Sequence, residues 1–341
     1  MDPAATRILG RTGVAVTQLG FGGASIGELN LIVEEDVAVD AVRAAWEHGI
    51  RYFDTAPWYG RGLSELRTGS GLRGKPRAEF VLSTKIGRWL RAPERPETFQ
   101  SAPWTGGLKM DVVFDYSYDG IMRSYEQSQL RLGVTRYDLA VIHDLDHLYH
   151  GRGEQLDRYF GQLSASGWRA VQELKAAGLI RGVGAGINDL GLIPRFLDLL
   201  DVDFFLIAMP YTLLHQEILE TEFPAAVARG CGFVIGSPFQ SGILATGQRP
   251  GAKYNYADVP ADIQTKVGRI QDICARHGVP LAAAALQFPL GHPAVASVIP
   301  GASSPAQLER NVATFTQPIP SDLWEELKHE GLLRADAPVP G

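Results

Sequence analysis

Residues 137–143 read Tyr-Asp-Leu-Ala-Val-Ile-His, a short apolar run that ends in an ionisable side chain. Such a run is typical of a strand that is buried on both faces. Other runs of this kind occur along the chain, and each is followed by a helical pattern or a long loop. Together with 137–143, the predicted strands are 18–22, 51–54, 80–85, 180–184, 204–208, 233–236 and 296–300.

The spacing of apolar residues predicts helices between these strands, most clearly at 34–48, 121–132, 167–177, 192–200, 263–277 and 305–313. Eight strand units without a linker rich in Pro, Ser or charge predict a single (β/α)8 barrel over residues 1–341. A doubly wound open sheet is the alternative. Residues 1–17 are expected to form an N-terminal β-hairpin, and the Pro- and Gly-rich residues 334–341 a loose C-terminal tail.

The composition limits the classes of partner. Hydrophobic residues make up 45% of the chain and charged residues 21%, the balance of a globular protein with ample core. A formal charge of −6 without blocks of like charge argues against nucleic acid and anionic membranes as partners. No apolar run approaches the roughly 18 residues of a membrane span. We therefore expect a cytoplasmic protein that acts on a small molecule. The sequence leaves its oligomeric state open.

Ionisable side chains stand at the ends of neighbouring predicted strands. Asp54 ends the second strand, Lys85 the third and His143 the fourth, and Tyr59 follows in a loop. The C-terminal ends of barrel strands meet at one mouth, so these groups suit acid and base work on a carbonyl. A lysine held by a carboxylate is expected to lower the pKa of the tyrosine, and the imidazole to orient the substrate oxygen. A helix cap, a structural ion pair and an ordinary buried histidine are the alternatives.

Several motifs together resemble those of the aldo-keto reductase superfamily. They are FDTAPWYG at 53–60, STK at 83–85, IHD at 142–144, LGRTG at 9–13, LGFG at 19–22 and IPGA at 299–302. The resemblance spans essentially the whole chain. It implies a (β/α)8 barrel, a nicotinamide dinucleotide across the C-terminal face and direct hydride transfer. It also implies that Tyr59 is the general acid or base, tuned by Asp54 and Lys85, with His143 orienting the substrate.

Further motifs resemble the branch that contains D-threo-aldose (L-fucose) dehydrogenases and pyridoxal 4-dehydrogenase. They are DYSYDG at 115–120, IHDLD at 142–146 and YTLL at 211–214. This resemblance implies oxidation of an aldose of the L-fucose, D-arabinose or L-galactose type at C1 to the lactone, with Tyr59 as base. Pyridoxal oxidation and general aldehyde reduction are alternatives of the same fold. A cofactor-sensing subunit without catalytic activity is the alternative from another class.

The cofactor segment is expected after the seventh strand. The run GVGAG at 182–186 lacks the third glycine of a Rossmann fingerprint, whereas GSPFQSG at 236–242 suits a loop over the pyrophosphate. Gly301, Ala302 and Gln307 stand where NADP-dependent relatives carry groups for the 2′-phosphate, so NAD is the expected cofactor. NADP stays possible through Arg310. The residues predicted to bind cofactor are Gly22, Gly23, Asp54, Asn188, Ser237, Pro238, Phe239, Gln240, Ser241, Gly242, Gly301, Ala302, Ser303, Gln307, Arg310 and Asn311.

Glycine is enriched, at 38 of 341 residues. Part of this excess is expected to make room for the dinucleotide at strand ends, at Gly20, Gly22, Gly23, Gly182, Gly184, Gly186, Gly236, Gly242 and Gly301.

Aromatic side chains near the mouth suit the apolar face of a sugar or the ring of pyridoxal. Long insertions at 87–118 and 144–166 carry several of them, including Trp104. The residues predicted to bind substrate are Trp58, Trp89, His143, Tyr149 and Tyr211, although each ring could instead close the core. The spacing of His143 and His147 in a loop does not place two ligands on one face, so no metal site is predicted.

Overall fold

The computed structural model describes all 341 residues and contains an eight-stranded parallel barrel. The barrel strands are β3 (Phe21–Gly22), β4 (Tyr52–Asp54), β5 (Val81–Ile86), β8 (Leu139–His143), β9 (Gly182–Ile187), β10 (Phe204–Ala208), β11 (Gly232–Gly236) and β14 (Val295–Ile299). They are hydrogen-bonded in this order. Parallel bridges from Leu19 to Val298 and from Gly22 to Gly301 join the two edges. All eight predicted strands are therefore present, and the predicted barrel is confirmed.

Three antiparallel hairpins lie outside the barrel sheet. They are β1 (Thr6–Ile8) with β2 (Ala15–Thr17), β6 (Arg88–Arg91) with β7 (Asp111–Phe114), and β12 (Lys253–Tyr254) with β13 (Ala257–Asp258). The first confirms the predicted N-terminal hairpin. It closes the barrel floor, because Leu9, Val14 and Val16 are buried among the side chains of the barrel interior.

Helices surround the barrel and bury their apolar faces against it in one large core. They are α1 (Glu35–Glu47), α2 (Leu63–Leu72), α3 (Tyr118–Leu132), α4 (His147–His150), α5 (Glu154–Gln162), α6 (Trp168–Ala176), α7 (Ile193–Leu199), α8 (Glu222–Ala228), α9 (Ile243–Thr246), α10 (Ala261–Arg276), α11 (Leu281–Gln287), α12 (Pro305–Thr316) and α13 (Ser321–His329). No helix is both long and apolar enough to cross a bilayer.

Most of the strand-end glycines serve close packing within the protein. A Cβ atom at Gly184 would lie 2.6 Å from the ring of Phe204, and one at Gly22 would lie 2.6 Å from the carbonyl oxygen of Ile299. At six of the nine positions a protein atom lies within 3.0 Å of such a Cβ, namely at Gly20, Gly22, Gly23, Gly182, Gly184 and Gly301. Packing within the protein therefore accounts for glycine at those six positions, and their proximity to a dinucleotide stays a prediction. Of the nine, only Gly242 has no protein atom within 4 Å of an added Cβ.

The C-terminal segment 334–341 has no regular structure, yet it is not loose. Arg334 forms ion pairs with Glu220 and Asp336, and Ala337 is buried. Val339 packs on the large core beside Gly291. The prediction of a loose tail is wrong because these apolar contacts fix the segment to the outside of the barrel.

Candidate active site

Strand pleating places three of the predicted catalytic side chains inside the barrel mouth. Side chains alternate between the two faces of a strand, so residues of one parity line the interior. Leu139 and Val141 of β8 belong to the interior cluster, and His143 continues that series at the strand's C-terminal end. Asp54 ends β4 in the same way after Tyr52. The site therefore stands on rigid strands rather than on loops.

Asp54 and Lys85 form a buried ion pair at the base of the site. The Nζ atom of Lys85 lies 2.6 and 2.7 Å from the two carboxylate oxygens of Asp54, and it donates to the carbonyl of Thr55 at 2.8 Å. Ser83 donates to Asp54 Oδ1 at 2.5 Å. Both charged side chains are at most 2% exposed. Since each charge is paired and hydrogen-bonded, the arrangement is one in which a buried pair is tolerated.

Tyr59 lies over this pair and beside His143. It begins a short 3-10 turn after β4, and the Nζ atom of Lys85 is 5.5 Å from its ring centroid. The rings of Tyr59 and His143 meet nearly edge to face, with centroids 5.8 Å apart. The structure thus brings together all four predicted catalytic residues.

The protonation of Tyr59 differs from the expectation. Burial, reinforced by the carboxylates of Asp54 and Asp144, holds the pKa of Tyr59 well above its ordinary value. Lys85 does not offset this increase in the pKa of Tyr59, because its charge is balanced by both oxygens of Asp54. The expectation of a lowered pKa is therefore wrong for the cofactor-free protein. Tyr59 rests as a neutral phenol that can donate a proton.

His143 is neutral for a related reason. Burial, together with the cations of Arg88 and Lys85, holds the pKa of His143 well below its ordinary value. Its Nε2 atom lies 3.2 Å from Asp144 Oδ2, whereas its Nδ1 atom is buried without a partner. The nearby carboxylate favours a proton on Nε2. In that tautomer the ring can donate a hydrogen bond to a substrate oxygen.

Sequence reasoning missed Arg88, which is 1% exposed and central to the site. Its Nη2 atom donates to Asp144 at 2.6 Å, and its guanidinium lies 4.3 Å from the ring centroid of Tyr149. The adjacent Trp89 points to the other face of β6, where Arg123 of α3 stacks on it at 4.4 Å. The substrate-binding prediction for Trp89 is therefore wrong by one strand position. Alternation along 88–91 is the signal that would have selected Arg88.

The other predicted aromatic residues divide between the mouth and the core. Trp58 and Tyr149 stand at the mouth, and Trp104 packs against Trp58 and Tyr59 at centroid distances of 5.6 and 5.7 Å. Tyr211 is fully buried against Phe223, at 4.9 Å. The substrate-binding prediction for Tyr211 is wrong, because its ring fills the core beneath the loops.

Asn188 lies at the mouth, but most of its side-chain amide is already hydrogen-bonded within the protein. Its Nδ2 atom donates to Asp144 and to Asp146, at 2.8 Å each. Only its Oδ1 atom is therefore free of these bonds and able to accept from a carboxamide. Burial beside Asp144 raises the pKa of Asp146 to about 7.

The loop after β11 has the geometry of a phosphate cradle. Ser237, Gln240, Ser241 and Gly242 all have left-handed φ angles, between 49° and 105°, and successive turns of this kind can point backbone N–H groups at an anion. Gln240 is buried and bonded to Thr212 and Asn255. Pro238 is buried and Phe239 packs on the core, so the loop is held from below. The open Gly242 fits the close approach of a dinucleotide.

The segment after β14 is ordered by its own side chains. Gln307 Oε1 accepts from the backbone N and the Oγ atom of Ser303, at 2.8 and 3.0 Å. Asn311 donates to the carbonyl of Gly301 at 3.1 Å. Ala302 is buried, and Arg310 is exposed. Arg310 is the one cation between residues 301 and 311.

A model of the aldo/keto reductase family matches residues 18–329. The chain belongs to the aldo/keto reductase family. A pyridoxal 4-dehydrogenase from Microbacterium luteolum is 44% identical and aligns with 96% of this chain and 97% of its own length. A D-threo-aldose 1-dehydrogenase from a Pseudomonas species is 38% identical, with 94% and 96% covered. The holo form of an aldo-keto reductase from Bacillus halodurans shares the fold, with a TM-score of 0.75, 24% identity and 98% of both chains covered.

This membership makes the protein an NAD(P)-dependent oxidoreductase. It explains why a neutral phenol and a neutral imidazole share the barrel mouth. Reduction of a carbonyl needs a proton donor at its oxygen, and oxidation of the alcohol needs the same group as acceptor.

Proposed function

We propose that the enzyme oxidises a cyclic hemiacetal to a lactone with NAD, the substrate being an aldose of the L-fucose type or pyridoxal. An aldose closes on its own hydroxyl to a hemiacetal, and so does pyridoxal, whose aldehyde neighbours a hydroxymethyl group. One chemistry therefore covers the substrates that the two similar dehydrogenases are named for. The observation that carries the proposal is the pairing of Tyr59 and His143 beside an aromatic wall.

The residues of the mouth would divide the work as follows. The nicotinamide, when bound, accepts the hydride. Tyr59, once ionised, accepts the proton of the hemiacetal hydroxyl, and His143 Nε2 orients the same oxygen. Asp54 holds the Nζ atom of Lys85 at 5.5 Å from the centroid of the Tyr59 ring. Trp58 and Tyr149 offer apolar surface to a sugar face or a pyridine ring.

A substrate panel tests this proposal. L-Fucose, D-arabinose, L-galactose and pyridoxal are each mixed with the protein and either NAD or NADP, and the absorbance of the reduced nicotinamide is followed. We expect turnover of at least one hemiacetal. The matched control is the methyl glycoside of L-fucose. Its anomeric carbon carries a methoxy group instead of a hydroxyl group, so C1 cannot be oxidised to the lactone. Absence of turnover with every hemiacetal would overturn the proposal.

The pH profile of the oxidation should follow the ionisation of Tyr59. Because its pKa lies well above the ordinary value, the phenolate is a small fraction near neutrality and increases about tenfold per pH unit. We expect kcat/KM for oxidation to rise from about pH 6 to about pH 9, and the reverse reduction to stay nearly flat. His143, whose pKa is lowered, should add no limb near its ordinary value of about 6.5. A flat oxidation profile would contradict the role of Tyr59 as base.

We also propose a preference for NAD over NADP. Relatives that grip a 2′-phosphate use charge-assisted bonds worth roughly 1.5 to 3 kcal/mol each, and only Arg310 offers one in the segment after β14. We expect kcat/KM with NAD to exceed that with NADP by about tenfold or more. Arg310→Ala should reduce the NADP value more than the NAD value. A higher kcat/KM with NADP would refute the preference.

A further inference from the structure

The turn of the β12–β13 hairpin holds a tyrosine in an unfavourable conformation. Tyr254 pairs with Ala257, so Asn255 and Tyr256 form a two-residue turn. Their φ angles are 49° and 64°, as in a type I′ turn. Asn is favoured at the first of these positions and Gly at the second, whereas a bulky residue is disfavoured there. A strained residue at a ligand-binding face is a reason to look for a role of its side chain.

Two hydrogen bonds fix this turn on the cofactor loop, and a third holds the hairpin from its other side. Gln240 Nε2 donates to Asn255 Oδ1 at 2.6 Å, and the backbone N of Tyr256 donates to Ser241 Oγ at 3.0 Å. At the other side of the hairpin, Tyr254 Oη and His215 Nε2 are 2.6 Å apart. The turn is therefore not a free surface loop, and the position of Tyr256 is set by residues 237–242.

The side chain of Tyr256 faces the barrel mouth. Burial and the charge of Asp144 raise the pKa of Tyr256, whereas the neighbouring Ser237, the residue after β11, lowers it. The phenol of Tyr256 in turn contributes to the raised pKa values of Tyr59 and Tyr149. The phenols of Tyr256, Tyr59 and Tyr149 therefore lie close enough to interact electrostatically. Yet 54% of Tyr256 is exposed, so part of the ring has no protein partner.

The end of β11 is open towards the mouth. Gly236 is buried, but a Cβ atom there would meet no atom closer than Leu206 Cδ2 at 3.4 Å, which is ordinary contact. Packing does not require glycine at this position. The C-terminal end of β11 therefore presents no side chain to the mouth, although the local packing would admit one. A flat aromatic ligand entering along the 237–242 loop would meet the tyrosine ring there.

We propose that Tyr256 is a cofactor-binding residue whose ring packs against the nicotinamide of the dinucleotide from the hairpin side. The carbon that exchanges hydride must lie near the substrate atom that Tyr59 serves, so a side chain facing both Tyr59 and Ser237 meets the nicotinamide end. The inference rests on the proposed passage of the dinucleotide along residues 237–242. The ring of Tyr256 would recognise the nicotinamide by stacking, as one aromatic ring on another.

The turn itself supplies a sharp test, because Tyr256→Gly creates the Asn-Gly pair that a type I′ turn prefers. The melting temperature should therefore stay unchanged or rise. Loss of the ring should weaken NADH binding by roughly tenfold, measured by calorimetry without substrate. Tyr256→Phe keeps the ring and should bind NADH within about twofold of the parent.

Asp258→Asn is the matched control, because it changes an exposed residue of the same hairpin that pairs only with Lys253. We expect it to leave NADH binding unchanged. An unchanged Kd in Tyr256→Gly overturns the role of Tyr256. Weak binding in both Tyr256→Gly and Asp258→Asn assigns the effect to the hairpin fold and also overturns it. Failure of the hemiacetal panel overturns the proposed function alone, since these binding measurements need no substrate.

Discussion

Tyr59→Phe should lower kcat for both oxidation and reduction by about a thousandfold, within the range that a positioned acid or base contributes. The substitution removes only the hydroxyl that exchanges the proton. The aromatic ring keeps its contacts with Trp104 and His143, at 5.7 and 5.8 Å. We therefore expect unchanged NADH affinity and a nearly unchanged melting temperature.

Steady-state kinetics and calorimetry on the same preparations check this result. Tyr118→Phe is a suitable control, because Tyr118 lies on α3 and its hydroxyl bonds Glu173, away from the barrel mouth. A Tyr59→Phe protein with more than about a tenth of the parent kcat would show that another group moves the proton.

Lys85→Met should destabilise the fold by about 3 to 5 kcal/mol and also abolish most activity, because it leaves the buried carboxylate of Asp54 without its partner. The double substitution Asp54→Leu with Lys85→Met removes both charges. It should recover part of the lost stability and none of the activity. Denaturant unfolding gives the first quantity and kcat the second.

Lys75→Met is the matched control for this pair. The ion pair of Lys75 with Glu47 is in contact with solvent, with side chains 27% and 70% accessible, so its loss should cost less than about 1 kcal/mol. A double variant that is no more stable than Lys85→Met would show that the buried charge is not the source of the destabilisation.

The part of the site that stands on barrel strands could be predicted from the sequence. Asp54, Lys85 and His143 each end a short apolar run, and parallel strands bring such ends to one mouth. Tyr59 was found through its motif. The pKa of Tyr59 could not be predicted, because it depends on how completely Asp54 balances Lys85 and on Asp144, whose side chain is aimed by Arg88 and Asn188.

The parts built from insertions were less predictable. Arg88 and Trp89 are neighbours on β6, so their side chains point to opposite faces of the strand. Which of the two faces the mouth depends on the register in which β6 pairs with β7. Tyr149 lies on α4 and is partly exposed at the mouth, whereas Tyr211 follows β10 and is buried in the core. Tyr256 lies 20 residues beyond β11, and only the hydrogen bonds of its hairpin to Gln240 and Ser241 show that the chain returns to the cofactor loop. Pairing between distant segments is what the local pattern does not contain.

The N-terminal hairpin has a consequence for the order of events in a turnover. A Cβ atom at Gly10 would lie 2.3 Å from the carbonyl oxygen of Asp203, so the hairpin backbone sits directly on the barrel floor. With the floor sealed, reactants come and go through the opposite end only. In the proposed binding mode, a dinucleotide beside the 237–242 loop would form one wall of the substrate pocket. With the dinucleotide bound as proposed, we expect the coenzyme to bind before the substrate and to leave after the product.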